Sequence, residues 1–362
     1  MSEGHTRPLD ELRGADEARF GGKSTSLGEL TAAGIPVPPG FAVSTSAFKA
    51  FLAAGGLRER IAEALAGARD GDVGTVQGAA ETIRAAVGAQ PVPDALREEI
   101  AARYGDLAAE AGDDPEPPVA VRSSAVGEDS AAATFAGQQE TFLWVRGAGA
   151  VCDALRDCWA SAFSAPAIAY RARMAAGVEP DMGVTVQLMV DAAVSGVLFT
   201  CSPVSGDPSI VAVNASWGLG LGVVGGEVTP DEYLLSKVTG EVVRETVNAK
   251  HVEYRPAAGG RGTERVAVPE DRQGVGCLDE ARLEALVDVA RRIQRHFGAH
   301  QDVEWAIARG DGPAASLYVV QSRPVTTAGA AAEPPAPASA LSMVMGTFGA
   351  GGAQARDSAE ER

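Results

Sequence analysis

Two strand-length runs near the C-terminal end constrain the chain most. Gln301-Asp302-Val303-Glu304-Trp305-Ala306-Ile307 is followed by the turn-rich Arg309-Gly310-Asp311-Gly312-Pro313 and then by Leu317-Tyr318-Val319-Val320-Gln321-Ser322-Arg323-Pro324. Side chains alternate between the two faces of a strand. Asp302 and Glu304 therefore share one face, with Val303, Trp305 and Ile307 on the other, and Gln321 and Arg323 also share a face. Paired as a hairpin, the runs bring two carboxylates, an amide and a guanidinium to one spot. Carboxylate and amide oxygens suit a hard divalent cation, and arginine takes phosphate oxygens through two parallel bonds. The same residues equally suit the solvated face of an edge hairpin.

Length and charge narrow the possibilities. A chain of 362 residues is too long for one core and predicts two or three domains. A net charge of -17 argues against nucleic acid or an anionic membrane surface as the main partner, since both call for a basic patch. Cys152, Cys158, Cys201 and Cys277 show no paired metal-ligand spacing, which predicts a reduced, cytoplasmic setting. The first residues lack an apolar signal core, and no run reaches membrane-spanning length.

The periodicities predict a mixed α/β protein. A helix is expected over Lys23–Ala33, ending at Gly34, then a proline-rich crossing and a strand at Phe41–Ser44. Val76, Ala79, Ala80, Ile83, Ala86 and Val87 have helical spacing. Further helices are expected around 150–163 and 166–176, and strands at 183–190, 194–200 and 209–214. A long helix from Glu280 to Phe297 places Leu283, Leu286, Val287, Ala290, Ile293 and Phe297 on one face. Beyond Thr327 the Ala/Pro/Gly-rich composition predicts a disordered tail.

Three further segments hold polar or glycine residues where a core would not. Val119-Ala120-Val121-Arg122-Ser123-Ser124 delivers an arginine and two serines at the end of an apolar strand, where ligands commonly bind in α/β folds. The small-residue stretch from Ser130 to Thr141 reads either as a phosphate-covering lid or as a flexible surface loop. Phe20-Gly21-Gly22-Lys23-Ser24-Thr25 is not a P-loop, because Glu17 stands where the first glycine is required. It remains a glycine turn presenting Lys23 at a helix start, a place to meet an anion. Gly220-x-Gly222-x-x-Gly225 formally matches a dinucleotide fingerprint, but Pro230 breaks the helix that should follow. A mobile glycine-rich wall of a site is the better reading.

In this order, Gly21-Gly22-Lys23, Gly34-Ile35-Pro36-Val37-Pro38-Pro39-Gly40-Phe41, Val121-Arg122-Ser123-Ser124, Phe135-Ala136-Gly137-Gln138, Gln187-Leu188-Met189-Val190 with Ser195–Thr200, Asp302-Val303-Glu304-Trp305 and Gln321-Ser322-Arg323-Pro324 resemble the ATP-binding domain of the phosphoenolpyruvate synthase and pyruvate phosphate dikinase family. Rifampicin phosphotransferase and the ATP-binding subunit of phenylphosphate synthase have similar domains. The resemblance spans residues 15–326 and implies an ATP-grasp fold, with subdomains 1–182 and 183–326 clasping the nucleotide and a tail at 327–362. It implies that Lys23 and Arg122 hold ATP phosphates, helped by Gly137 and Thr141 in the lid, and that Gln187 lines the adenine side. It further implies magnesium on Glu304 and Gln321, supported by Asp302, with Arg323 clamping the transferred phosphates. Such chemistry asks the protein mainly for positioning and charge neutralisation.

Two departures qualify the resemblance. The family usually has Gly-Leu-Gly-Glu where this chain has Gly218-Leu219-Gly220-Leu221, so the role of that acid is lost or falls to another residue such as Glu227. The family also phosphorylates a histidine on a separate swivelling domain, in a glycine-rich motif. None of His5, His251, His296 and His300 has that context, and no domain-sized segment follows residue 326. The resemblance thus implies the ATP-binding catalytic subunit of a split dikinase, acting on a partner that carries the histidine and binds an alcohol or enol acceptor. The alternative is a non-catalytic nucleotide-sensing module.

Overall fold

Residues 189–191 carry the chain from one antiparallel sheet to another; the computed structural model describes residues 4–67, 73–112, 114–127, 140–173, 180–310 and 317–325. The first sheet contains β1 (Thr6–Pro8), β2 (Gly40–Val43), β3 (Val119–Ala125), β4 (Thr141–Val145) and β5 (Met182–Leu188), in the order β1-β2-β5-β3-β4. The second contains β6 (Ala192–Phe199), β7 (Ile210–Trp217), β8 (Asp231–Ser236) and β9 (Val242–Thr246). A separate hairpin, β10 (Val252–Pro256) and β11 (Thr263–Ala267), follows. The chain then returns through β12 (Gln301–Ala308) and β13 (Leu317–Pro324), giving the order β13-β12-β6-β7-β8-β9.

The helices are α1 (Glu17–Phe20), α2 (Gly22–Ala32), α3 (Thr45–Ala53), α4 (Leu57–Ala66), α5 (Val73–Ala89), α6 (Asp94–Ala111), α7 (Ala148–Ser161), α8 (Ala165–Arg173), α9 (Leu221–Val224), α10 (Glu270–Gln273) and α11 (Glu280–Phe297). The expected helices and strands outside the tail are therefore present, with described ends that coincide or differ by up to three residues. The periodicity reading did not anticipate β1, β4 or β8 to β11. Residues 174–179, most of the small-residue stretch and the tail lie outside the described residues.

Alternation sorts each sheet into an apolar and a polar face. Phe41, Val43, Val119, Val121, Val184 and Val186 join helices α3 to α8 in one core, stacked around Trp159 and Phe51 with ring centroids 4.8 Å apart. In the second sheet, Val194, Leu198, Val303, Trp305, Ile307 and Val319 face the apolar stripe of α11. That helix is stopped at both ends: the Asp279 carboxylate accepts the Arg282 N–H at 2.9 Å, and Gly298 takes φ 68°. The opposite faces carry Arg122, Thr185 and Gln187 on the first sheet and Asp302 and Glu304 on the second.

Helix α2 belongs to both halves. Leu27 and Leu30 are buried in the second core. Ser24 meets Thr185 across 2.7 Å in the first sheet, while the Ser26 hydroxyl donates to the Ser322 carbonyl of β13 at 2.8 Å. The division expected at 182/183 cuts β5 after its first residue, Met182, and this strand pairs with both β2 and β3 and so belongs to the first sheet.

Candidate functional site: the cleft between the two sheets

The predicted hairpin forms. β12 and β13 pair with Asp302 opposite Arg323 and Glu304 opposite Gln321. The register then slips, so that Trp305 faces Val319 and Val320 stands out of the ladder. Bulges of this kind free backbone groups and re-aim side chains beside active sites. Here the freed carbonyl of Val320 accepts Arg122 Nη1 at 2.8 Å.

Arg122 reaches this point from β3 of the other sheet. Its Nη2 donates to Glu304 Oε2 at 2.9 Å and to Gln321 Oε1, with Arg122 12% and Glu304 24% exposed at the side chain. One guanidinium thus lies on both oxygens expected to bind a cation. Beside it, Arg323 Nε donates to Asp302 Oδ2 at 2.9 Å, and Nη2 lies 2.8 Å from the same oxygen as an ion pair. Burial holds the Asp302 carboxyl above its ordinary pKa, with the Arg323 bond and charge acting in the opposite sense and Glu304 adding to the rise.

The other described residues of the expected site lie on α2, β4 and β5. Thr141 opens β4 as the register partner of Arg122. Lys23 is buried at the start of α2, and its ammonium donates to the Ser123 carbonyl at 3.2 Å. Gly21 makes that approach possible: its φ is +79°, and a Cβ there would lie 2.0 Å from the Ser124 carbonyl oxygen. Gln187 is buried on the same face, donating to the Pro38 carbonyl at 3.1 Å. Gly137 lies outside the described residues.

A pocket of about 220 Å³ is lined by Val197, Phe199, Val223, Val224, Asp302, Glu304, Gln321 and Arg323. Sequence reasoning missed the four apolar residues, although Val197 and Phe199 follow from alternation, since Val194 and Leu198 take the core face. Val223 and Val224 lie on α9, inside the glycine-rich run, which therefore forms a wall of the pocket. At four residues, α9 is too short for a dinucleotide turn. Glu227 is not among the residues lining this pocket: its carboxylate accepts the Tyr254 hydroxyl at 2.7 Å and lies 3.8 Å from Arg265. A larger depression of about 410 Å³ lies against β4, α7 and the β10–β11 turn, but its Arg146 is engaged by Asp114 and the Glu116 carbonyl.

Among the described residues, no group of three or more His, Cys, Asp or Glu side chains forms a ready-made metal site. The cleft offers two carboxylates and an amide oxygen, the all-oxygen donor set of a hard cation that keeps water or phosphate as its other ligands. The histidines have local partners: His300 lies 3.4 Å from Thr200, His296 3.2 Å from Glu29, His251 2.7 Å from Gln273 and His5 3.2 Å from Ser46. No described helix is long and apolar enough to cross a membrane.

Fold and site together define a two-sheet α/β module whose cleft brings Arg122 of the first sheet onto the Asp302, Glu304, Gln321 and Arg323 hairpin of the second. The family described as pyruvate phosphate dikinase, AMP/ATP-binding domain, matches residues 17–341, and the chain belongs to it. It is 41% identical over 326 residues to a probable phosphoenolpyruvate synthase of Methanothermobacter thermautotrophicus, covering 90% of this chain and 46% of that protein. Phosphoenolpyruvate synthase of Pyrococcus furiosus is 38% identical over 360 residues, with 88% of this chain and 43% of that protein covered. Rifampicin phosphotransferase of a Streptomyces species is 40% identical over 326 residues, with 88% and 36% covered. The chain spans less than half the length of these relatives.

Proposed function

We propose that the cleft is an ATP-grasp site that binds Mg-ATP and passes its β-phosphoryl group to a carrier histidine on a partner chain, with AMP as leaving group and water taking the γ-phosphoryl group as phosphate, and that the carrier then serves an alcohol or enol acceptor. The observation that carries this reading is the contact of Arg122 with Glu304 and Gln321. It brings a phosphate-binding cation and two cation-binding oxygens to one point from opposite sheets. Magnesium would be held by Glu304 and Gln321, with Asp302 beside them, and would neutralise phosphate charge when bound.

Lys23, Arg122 and Arg323 supply the protein's own positive charge, with Thr141 and Gly137 on the covering side and Gln187 on the base side. Arg323 is held by Asp302, so its guanidinium is fixed before phosphate arrives, and preorganised charge of that kind lowers the barrier for phosphoryl transfer. A cytoplasmic setting fits this chemistry.

The test incubates β-labelled ATP and magnesium with this chain and a histidine-bearing swivel domain, reading acid-labile label on the partner. Arg122→Ala is expected to lower transfer roughly 100- to 1,000-fold, the range for losing one donor to developing charge. Glu304→Ala is expected to raise the magnesium requirement. Unchanged transfer in Arg122→Ala would overturn the assignment. The regulatory reading draws on Leu221 in place of the expected acid, which Glu227 does not replace; tight ATP binding with no label on any partner would favour it.

A further inference from the structure

Trp144 is the only described residue other than glycine with a positive φ, 58°. Bulky side chains rarely hold that conformation, and where they do the surroundings enforce it. The register of β4 is the cause. Phe142 pairs with Val121 and Val145 with Val119, so Leu143 and Trp144 together oppose Ala120. This bulge aims the indole to the cleft side, where Ala120 shares its face with Arg122 and Gln187.

There Trp144, 6% exposed, clusters with Ala192, Leu219 and Ala306, and Met189, Val190, Tyr254 and Val320 pack against the group. The partners come from the crossing between sheets and the start of β6, the glycine-rich turn, β10 and both strands of the C-terminal hairpin. The Gly262 N–H donates to the Trp144 carbonyl at 3.1 Å, which fixes the backbone of the bulge.

Along β12, Asp302, Glu304 and Ala306 succeed one another on the cleft face, roughly 7 Å apart. The apolar cluster therefore begins one step beyond Glu304, on the side away from Asp302 and Arg323. A nucleotide with phosphates at Arg122, Glu304 and Gln321 has on one side the Asp302–Arg323 pair among Val197, Phe199, Val223 and Val224, and on the other the uncharged Trp144 cluster. The Trp144 cluster, free of charged side chains, suits a base better, and the indole there is an aromatic bicycle of nearly purine size.

We propose that Trp144 and the nucleobase compete for one apolar seat, so that base entry swings the indole out and relaxes the β4 bulge. The proposal rests on the nucleotide reading above and adds a residue that senses the base as distinct from the phosphates. Because β4 begins at Thr141, opposite Arg122, base entry is coupled to the strand that borders the phosphate site.

The test labels the four tryptophans with 5-fluorotryptophan and assigns the Trp144 fluorine resonance with Trp144→Phe. Mg-ATP is expected to move that resonance toward the solvent-exposed position, whereas magnesium tripolyphosphate leaves it in place. Trp144→Asn removes the indole and tolerates the left-handed backbone. It is expected to bind ATP roughly 3- to 10-fold tighter, with tripolyphosphate affinity unchanged. A resonance that stays in place at saturating ATP overturns the proposal. So does Trp144→Asn binding ATP more weakly with tripolyphosphate unaffected, which would make the indole a stacking platform. Wild-type chain that binds neither ligand overturns the nucleotide reading itself.

Discussion

Arg122, Glu304 and Gln321 form a three-way contact in which each group has a partner of opposite or complementary character, and Asp302 with Arg323 forms a second pair alongside. Alternation along the two terminal runs identified four of these five residues, because a strand's period of two fixes which side chains share a face. It could not identify the Val320 carbonyl, since a backbone acceptor freed by a register slip leaves no mark in composition or spacing. The raised pKa of Asp302 was equally hidden, because burial is a tertiary property. Its consequence has a definite sign. A carboxyl whose folded pKa lies above the unfolded value binds its proton more tightly in the native state, so stability is lost as pH rises from the ordinary carboxylate range through the folded pKa. Ionised Asp302 is then a net cost at neutral pH. Asp302→Asn keeps the shape without the charge, so its stability relative to wild type should improve as pH is raised from about 4 to 7. Urea unfolding at a series of pH values measures this, and a difference independent of pH would show that the carboxyl is not perturbed.

At the level of elements, the legible parts were those with strong periodicity or clear stops. α11 shows an apolar stripe, an acceptor at its start and a glycine at its end, and it runs from Glu280 to Phe297 as expected. β9 is exposed along its whole length and carries no alternation, so nothing marked it as a strand. Asp231 at the start of β8 and Lys250 just ahead of β10 form a fully buried ion pair. Their partnership could not be read from either segment alone. The Gly21 turn lies between these extremes: its glycines were visible, but the need for them comes from β3. A side chain at Gly21 meets both an unfavourable φ and the Ser124 carbonyl. Gly21→Ala should therefore destabilise the chain by more than about 1 kcal/mol and displace Lys23 from the cleft. Thermal unfolding and Mg-ATP titration of the variant check the two parts. Wild-type stability with wild-type affinity would mean that α2 can shift freely against β3.

At the scale of the whole molecule, the expected two-part division meets an obstacle in α2. Its residues come early in the sequence, but Leu27, Leu30 and nearby Ile35 complete the core of the second sheet beside α11. A fragment ending at residue 182 would expose that apolar surface and also lack all of β5 after Met182, the strand that joins β2 to β3. Residues 1–325, in contrast, form one compact unit with both cores and every described site residue. Ligand that binds only the native state stabilises it by RT ln(1 + [L]/Kd), about 2.7 kcal/mol at a hundredfold excess over Kd. A chain ending at Val325 should fold and gain a magnesium-dependent rise in melting temperature with ATP equal to that of the full chain. The 1–182 fragment should show no cooperative melting at all. Loss of the ATP-induced rise on truncation at Val325 would place part of the nucleotide site in residues 326–362, and a cooperative transition in the short fragment would show that α2 does not need the second sheet.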